Sequence, residues 1–197
     1  MAFRLIQGVE VADLGGIETA FSQHDGCLDS TVSAELIAPL LKECLELLEE
    51  PHFFYLELPC TEEKEKELRR SKSDPLHFDV YYLDNCTREV SLAILDRYGE
   101  LLVNDGVCCF GFGSHKTGEE IGVLLYQRVL IHGGDRFKAA FERVGIKETE
   151  DLRLMWDNFT PETPGACMSV EIEGEKVYDL PELLKDAGMY FAETREE

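Results

Sequence analysis

The stretch from Val107 to Glu120, VCCFGFGSHKTGEE, sets two adjacent cysteines among three glycines, a serine, a histidine and a lysine. Phosphate loops and thiol active sites are built from these residue types. Gly113 and Gly118 match the opening of a phosphate loop, glycine, four residues, glycine. That motif continues with a lysine for the phosphates and a Ser or Thr for magnesium, whereas this chain continues with Glu119 and Glu120, whose charge repels phosphate. The dinucleotide pattern GxGxxG fails as well, because Gly111 and Gly113 require a glycine where Lys116 stands. No nucleotide or other cofactor is expected. Thr117 and Glu120 fit a capping box instead, which predicts a short helical turn opening at Ile121.

The cysteine pair is read in the same way. On a strand, neighbouring side chains point to opposite faces, so Cys108 goes with Phe110 and Phe112, and Cys109 with Val107 and Gly111. The two thiols then cannot share a metal. A nucleophilic thiol needs a cation or imidazole beside it, and His115 and Lys116 follow in the loop. His132 precedes Gly133-Gly134 and a predicted helix start, a placement suited to acid-base or anion chemistry, with Asp135 expected to cap that helix. The catalytic candidates are therefore Cys108, Cys109, His115 and His132. His24-Asp-Gly-Cys27-Leu-Asp29 mixes hard and soft ligands, but no second Cys/His pair completes a zinc set, and no metal is expected. Trp156 reads as a core anchor. The chain has no Ser-His-Asp order and no HExxH.

The elements that must hold these residues follow from periodicity. Ser33 to Glu50 is amphipathic, with Ile37, Leu41, Cys44 and Leu48 at helical spacing, starting late or kinked at Pro39. HFFYLEL (His52 to Leu58) and HFDVYYL (His77 to Leu83) read as strands. Thr61 to Asp74, dense in charges of both signs, is expected to be an exposed helical turn or mobile loop. A helix runs from about Thr87, with Asn85 or Thr87 accepting the free amides of its first turn, to Tyr98 on a Val90, Ile94, Tyr98 face, with Gly99 as its stop. Asp105-Gly106 then forms a tight hairpin turn between strands Leu101 to Asn104 and Val107 to Phe112. Leu125 to His132 is a further strand, and Phe137, Phe141 and Val144 mark a helix closed by Gly145. Met168 to Ile172 and Lys176 to Tyr178 form a second hairpin around Glu173-Gly174-Glu175. Asp179 and Glu182 box a helix ending at Gly188, and MYFA is the last strand.

Hairpin-linked strands with interspersed helices predict an α+β fold, a mainly antiparallel or mixed sheet with short helices packed on it, as one domain over residues 1–197. With 44% hydrophobic residues the chain can bury a substantial core. Forty acidic against nineteen basic residues give a net charge of −21, a field that repels nucleic acid and anionic lipid, so neither is an expected partner. Seven dispersed cysteines without a Cys-x-x-Cys pair, and no leader or membrane-length apolar run, indicate reduced thiols in the cytoplasm. The leading functional expectation is a non-enzymatic, acidic interaction protein, of an inhibitor or immunity type, that neutralises a basic partner. The alternative is a small enzyme with a Cys/His or His/carboxylate site near the glycine-rich loop.

Overall fold

Hairpins and short helices alternate along the chain. The computed structural model describes residues 2–71 and 73–196; Lys72, within the charged stretch from Thr61 to Asp74, lies outside the described residues. A two-residue strand, β1 (Val9–Glu10), precedes a hairpin of β2 (Ala20–His24) and β3 (Cys27–Thr31). Its turn is Asp25-Gly26, with φ of 48° and 83°, the left-handed pair that a two-residue hairpin loop requires. Helix α1 (Ala34–Leu47) follows, then β4 (His52–Pro59), α2 (Glu62–Leu68), β5 (His77–Cys86) and α3 (Arg88–Asn104). A second hairpin, β6 (Cys109–Ser114) and β7 (Glu119–Leu124), leads to β8 (Arg128–His132), α4 (Lys138–Arg143) and β9 (Lys147–Glu148). The chain closes through β10 (Ala166–Cys167), α5 (Leu180–Leu183) and β11 (Tyr190–Glu196).

The fold is α+β. Among the described residues, nine strands form one sheet in the order β11-β5-β4-β6-β7-β8-β3-β2-β9, and β1 with β10 forms a small antiparallel sheet. The large sheet is mixed, because β9 runs parallel to β2 while the other pairings are antiparallel. Alternate residues Phe54, Leu56, Phe110, Phe112, Ile121 and Val129 join Ile37, Leu41 and Leu45 of α1 and Ile94 and Leu95 of α3 in one buried cluster. Helices α1 and α3 also pack on each other. One sheet face is thus the floor of the core.

Several local expectations hold. The amphipathic helix forms, as α1, but it begins at Ala34 rather than late at Pro39, which lies exposed within it. Thr87 caps α3 by accepting the Val90 amide, and Thr61 caps α2 by accepting that of Lys64, so the charged stretch holds a helix. Gly145 and Gly188 take the left-handed φ at which the adjoining helical segments stop.

Others are overturned. Leu101–Asn104 is the last turn of α3, not a strand, and Gly99 lies within the helix. A mid-helix glycine costs about 1 kcal/mol, whereas Leu101, Leu102 and Val103 are buried and contribute about 1.5–3 kcal/mol each. Burial outweighs the stop signal. The helix face is set by Ser91, Ile94 and Leu95, and Val90 is exposed. Asp105 is therefore a helix cap. Its carboxylate accepts from the Val107 and Cys108 amides at 3.0 and 3.1 Å, the Ser169 hydroxyl at 2.7 Å and the Val170 amide at 3.0 Å.

The expected helical turn at Ile121 is also absent, since Glu119–Leu124 is β7. Thr117 donates to the Glu119 carboxylate, and Gly118, at φ 71°, closes the β6–β7 turn. The strand expected from Leu125 begins only at Arg128, after a helical turn in which buried Gln127 bonds the Ile6 amide and the Arg4 and Val32 carbonyls. Glu173-Gly174 does turn tightly between Ile172 and Glu175, but residues 168–171 form no strand and Lys176 leads into a 3-10 turn, so the hairpin reduces to the single Ile172–Glu175 bridge. The Asp179 carboxylate caps that 3-10 turn through the Lys176 amide, not α5.

Candidate functional site

The glycine-rich hairpin seats aromatic rings. Alternation along β4 puts Phe54, Leu56 and Leu58 in the core and Phe53, Tyr55 and Glu57 on the opposite face. There Tyr55 faces Gly111, and Gly111 faces Gly122, across adjacent strands. A Cβ at Gly111 would stand 2.6 Å from the Tyr55 ring, one at Gly122 would stand 2.5 Å from its hydroxyl, and one at Gly113 would stand 2.2 Å from the Phe53 ring. The absence of a side chain at all three positions is what lets the rings lie flat on the strands. Phosphate has no such reason to be there.

Tyr82 of β5 and Tyr190 of β11 extend the row beside Tyr55, with ring centroids 6.2 and 6.5 Å apart in sequence, and Phe53 packs edge-on to Tyr82. His115, in the β6–β7 turn, stacks on Phe53 at 4.5 Å. Its Nε2 is 3.0 Å from Asp84, whose other oxygen accepts the Tyr190 hydroxyl at 2.7 Å. Carboxylates border the aromatics. Glu57 is ion-paired with Arg195, and Glu120 bonds the Tyr55 hydroxyl. Burial raises the Glu57 carboxyl above its ordinary range although Arg195 opposes the shift. Burial, reinforced by Glu120 and Glu57, pushes the Tyr55 phenol well up, so it is a fixed hydrogen-bond donor at neutral pH.

The four sequence candidates are not brought together. Cys108 is in the helix-side core, its thiol 3.7 Å from the Leu102 carbonyl, and burial pushes it well above the ordinary thiol range. Cys109 lies on the aromatic face, buried, its thiol pushed up to about 12 by burial and then by Glu57. Opposite faces were the expectation from alternation. His115 sits with Asp84, and His132 meets neither cysteine of the pair but Cys27, Nδ1 to Sγ 2.9 Å. Asp135 does not cap a helix; its carboxylate accepts from the Gln23 amide. Trp156 is 37% exposed, edge-on to Tyr126 and under the Arg128 guanidinium, and is no core anchor.

A cavity of about 10 Å³, lined by Ile6, Ile37, Leu102 and Cys108 among others, has room for about one water. An open groove runs beside Glu65, Lys66, Arg70 and Ser71. Neither is lined by a histidine. No helix among the described residues is long and apolar enough to cross a membrane, and no group of three or more His, Cys, Asp or Glu among them could hold a metal.

The reading of the sequence missed Tyr55, Tyr82, Tyr190, Glu57 and Arg195. A signal was present in HFFYLEL, whose two faces are both aromatic although only one can meet the helices. Comparison with protein-family models, with curated proteins and with solved structures finds no match to this chain.

Proposed function

We propose that this chain is a non-enzymatic binding protein for a basic partner protein, engaged through the edge of the aromatic sheet face where Tyr190 and Glu193 are exposed and Tyr82 is half-buried, with buried Tyr55 and Phe53 ordering the rings from beneath. The observation that supports the reading is that face itself: aromatic rings ordered on a glycine bed and bordered by Glu57, Asp84, Glu120 and exposed Glu193. Tyrosine-rich patches give large contact area at small entropic cost, and a carboxylate border selects cationic side chains. Among the described residues, at least thirteen Lys and Arg side chains already lie within 4.0 Å of a carboxylate of this chain. The acidic surplus is therefore left to act outward, where it would steer a cationic partner.

The test is affinity capture by the parent and by a Tyr190→Ser/Glu193→Lys variant, at about 0.1 M and about 1 M salt, where charge screening lengths are about 10 and 3 Å. A basic protein retained by the parent at low salt, released at high salt and lost by the variant supports the reading. Equal capture by a Glu67→Lys control and the face variant, or a captured partner that is acidic, overturns it. The alternative, an enzyme using a His/carboxylate pair near the loop, rests on His115 and Asp84; it calls for a nucleophile beside them, and Asp84 is instead shared with the Tyr190 hydroxyl.

A further inference from the structure

We propose that Cys27 is a reactive thiol, activated by His132, at which small oxidants of the hydroperoxide class modify this protein. The inference stands apart from the binding reading above. Cys27 is the first residue of β3, immediately after the Asp25-Gly26 turn, and pairs in register with His132, the last residue of β8. Directly opposed residues share a sheet face. Their side chains meet, with Sγ 2.9 Å from Nδ1.

That contact is the arrangement a thiol nucleophile needs, because the thiolate attacks and the imidazole receives its proton. Glu120 is the residue opposite His132 on β7, with its carboxylate engaged by the Tyr55 hydroxyl. His24 faces Cys27 from β2. The other charged groups nearby are engaged: Asp29 holds Arg128 through two bonds of 2.7 Å, and Asp135 accepts from Gln23. Asp25 is exposed in the turn.

Access and selectivity follow from the same geometry. Cys27 is partly exposed, His132 is exposed, and a Cβ built on Gly26 would meet nothing within 4 Å. The pair lies at the surface, open to a small reagent. Burial holds the other thiols in reserve: Cys86 is pushed up to about 11 and Cys109 to about 12, and burial raises Cys44 and Cys108 as well. At Cys60 burial and the Asp79 hydrogen bond raise the thiol to about 11.

The step balances. The Cys27 proton passes to Nδ1 of His132, and the thiolate attacks one oxygen of hydrogen peroxide. The S–O bond forms as the O–O bond breaks, sulfur loses two electrons, and the departing hydroxide takes the imidazolium proton to leave as water. The product is a sulfenic acid.

The experiment treats the full chain with limiting hydrogen peroxide in the presence of dimedone and chelator, then maps the trapped cysteines by peptide mass spectrometry. Iodoacetamide alkylation of Cys27 is followed in parallel as a function of pH. Cys27 is expected to be trapped first, about tenfold faster than Cys60 or Cys167 near pH 7. His132→Asn should slow Cys27 about tenfold near pH 7 and by little above about pH 9, where solvent takes the proton. A purely structural role for His132 would leave the shape of that profile unchanged. Cys27 reacting no faster than Cys60, or a His132→Asn profile superimposable on the parent, overturns the proposal. Should His132→Asn shift the unfolding midpoint, the parent's own ranking of Cys27 against Cys60 and Cys167 decides.

Discussion

Replacing Gly106 by alanine should be among the most damaging single-methyl changes in this protein. The N-terminal segment, the end of α3 and Met168, the residue after β10, cross there. The Gly8 amide donates to the Asn104 carbonyl at 2.8 Å, the Gly106 amide to the Met168 carbonyl at 3.0 Å, and the Met168 amide to the Gly8 carbonyl at 2.8 Å. A Cβ on Gly106 would lie 1.8 Å from the Gly8 oxygen, 2.5 Å from its carbon and 3.0 Å from the Met168 nitrogen. Every one of these is main chain, so no side chain can swing aside. Reaching ordinary contact at 3.4 Å requires the segments to part by about 1.6 Å, which breaks the three hydrogen bonds. A buried backbone group left unsatisfied costs about 1–3 kcal/mol, so with partial rescue by water the loss is about 3–5 kcal/mol. At a urea slope of about 2 kcal/mol/M, the midpoint falls by about 2 M. Gly26→Ala is the control: its φ of 83° is left-handed but a Cβ meets nothing within 4 Å, so its cost is the backbone term of about 1–2 kcal/mol. Urea unfolding by circular dichroism ranks the two. A Gly106→Ala midpoint within about 0.5 M of the parent would mean that Gly8 and Gly106 do not meet, and the reasoning fails.

Asp105→Ala removes the acceptor of four donors and should cost about 3 kcal/mol or more, while Asp105→Asn, which keeps one acceptor oxygen, should lose less; the same unfolding assay orders them. Buried His52 has Nε2 3.2 Å from the Leu48 carbonyl and Nδ1 3.1 Å from the Ser91 hydroxyl, and burial lowers its pKa. The neutral ring fits both partners. Its contribution is therefore fully present above the unfolded value of about 6.5 and is lost as pH falls toward the lowered folded value, so stability should decline as pH falls below about 6.5, and His52→Asn should flatten that decline. ATP, GTP and NAD should show no saturable heat on titration, because Gly111 and Gly113 carry Tyr55 and Phe53 and Glu119 and Glu120 follow; binding abolished by Gly113→Val would contradict the aromatic-bed reading.

The sequence by itself determined the fold class, strands over residues 52–58 and 77–83, which the structure extends to Pro59 and Cys86, the cap at Thr87, and the stops at Gly145 and Gly188. Each of these is written in a local pattern, an alternation, a capping residue or a glycine that can take positive φ. The opposite-face placement of Cys108 and Cys109 was legible for the same reason, since it needs only the two-residue period of a strand. The functional surface was not, because Tyr55 meets Gly111 and Gly122, and His132 meets Cys27, across strands that lie far apart in sequence. The two Asp-Gly pairs show where the boundary falls. Asp25-Gly26 turns a hairpin, and Asp105-Gly106, the same dipeptide, ends a helix. A dipeptide's turn preference is worth about 1 kcal/mol, and only where nothing larger competes does it decide the backbone. At position 105 the buried aliphatics of α3 and four hydrogen bonds outweigh it, and two of those bonds, from distant Ser169 and Val170, exist only once the C-terminal segment has packed against the end of α3.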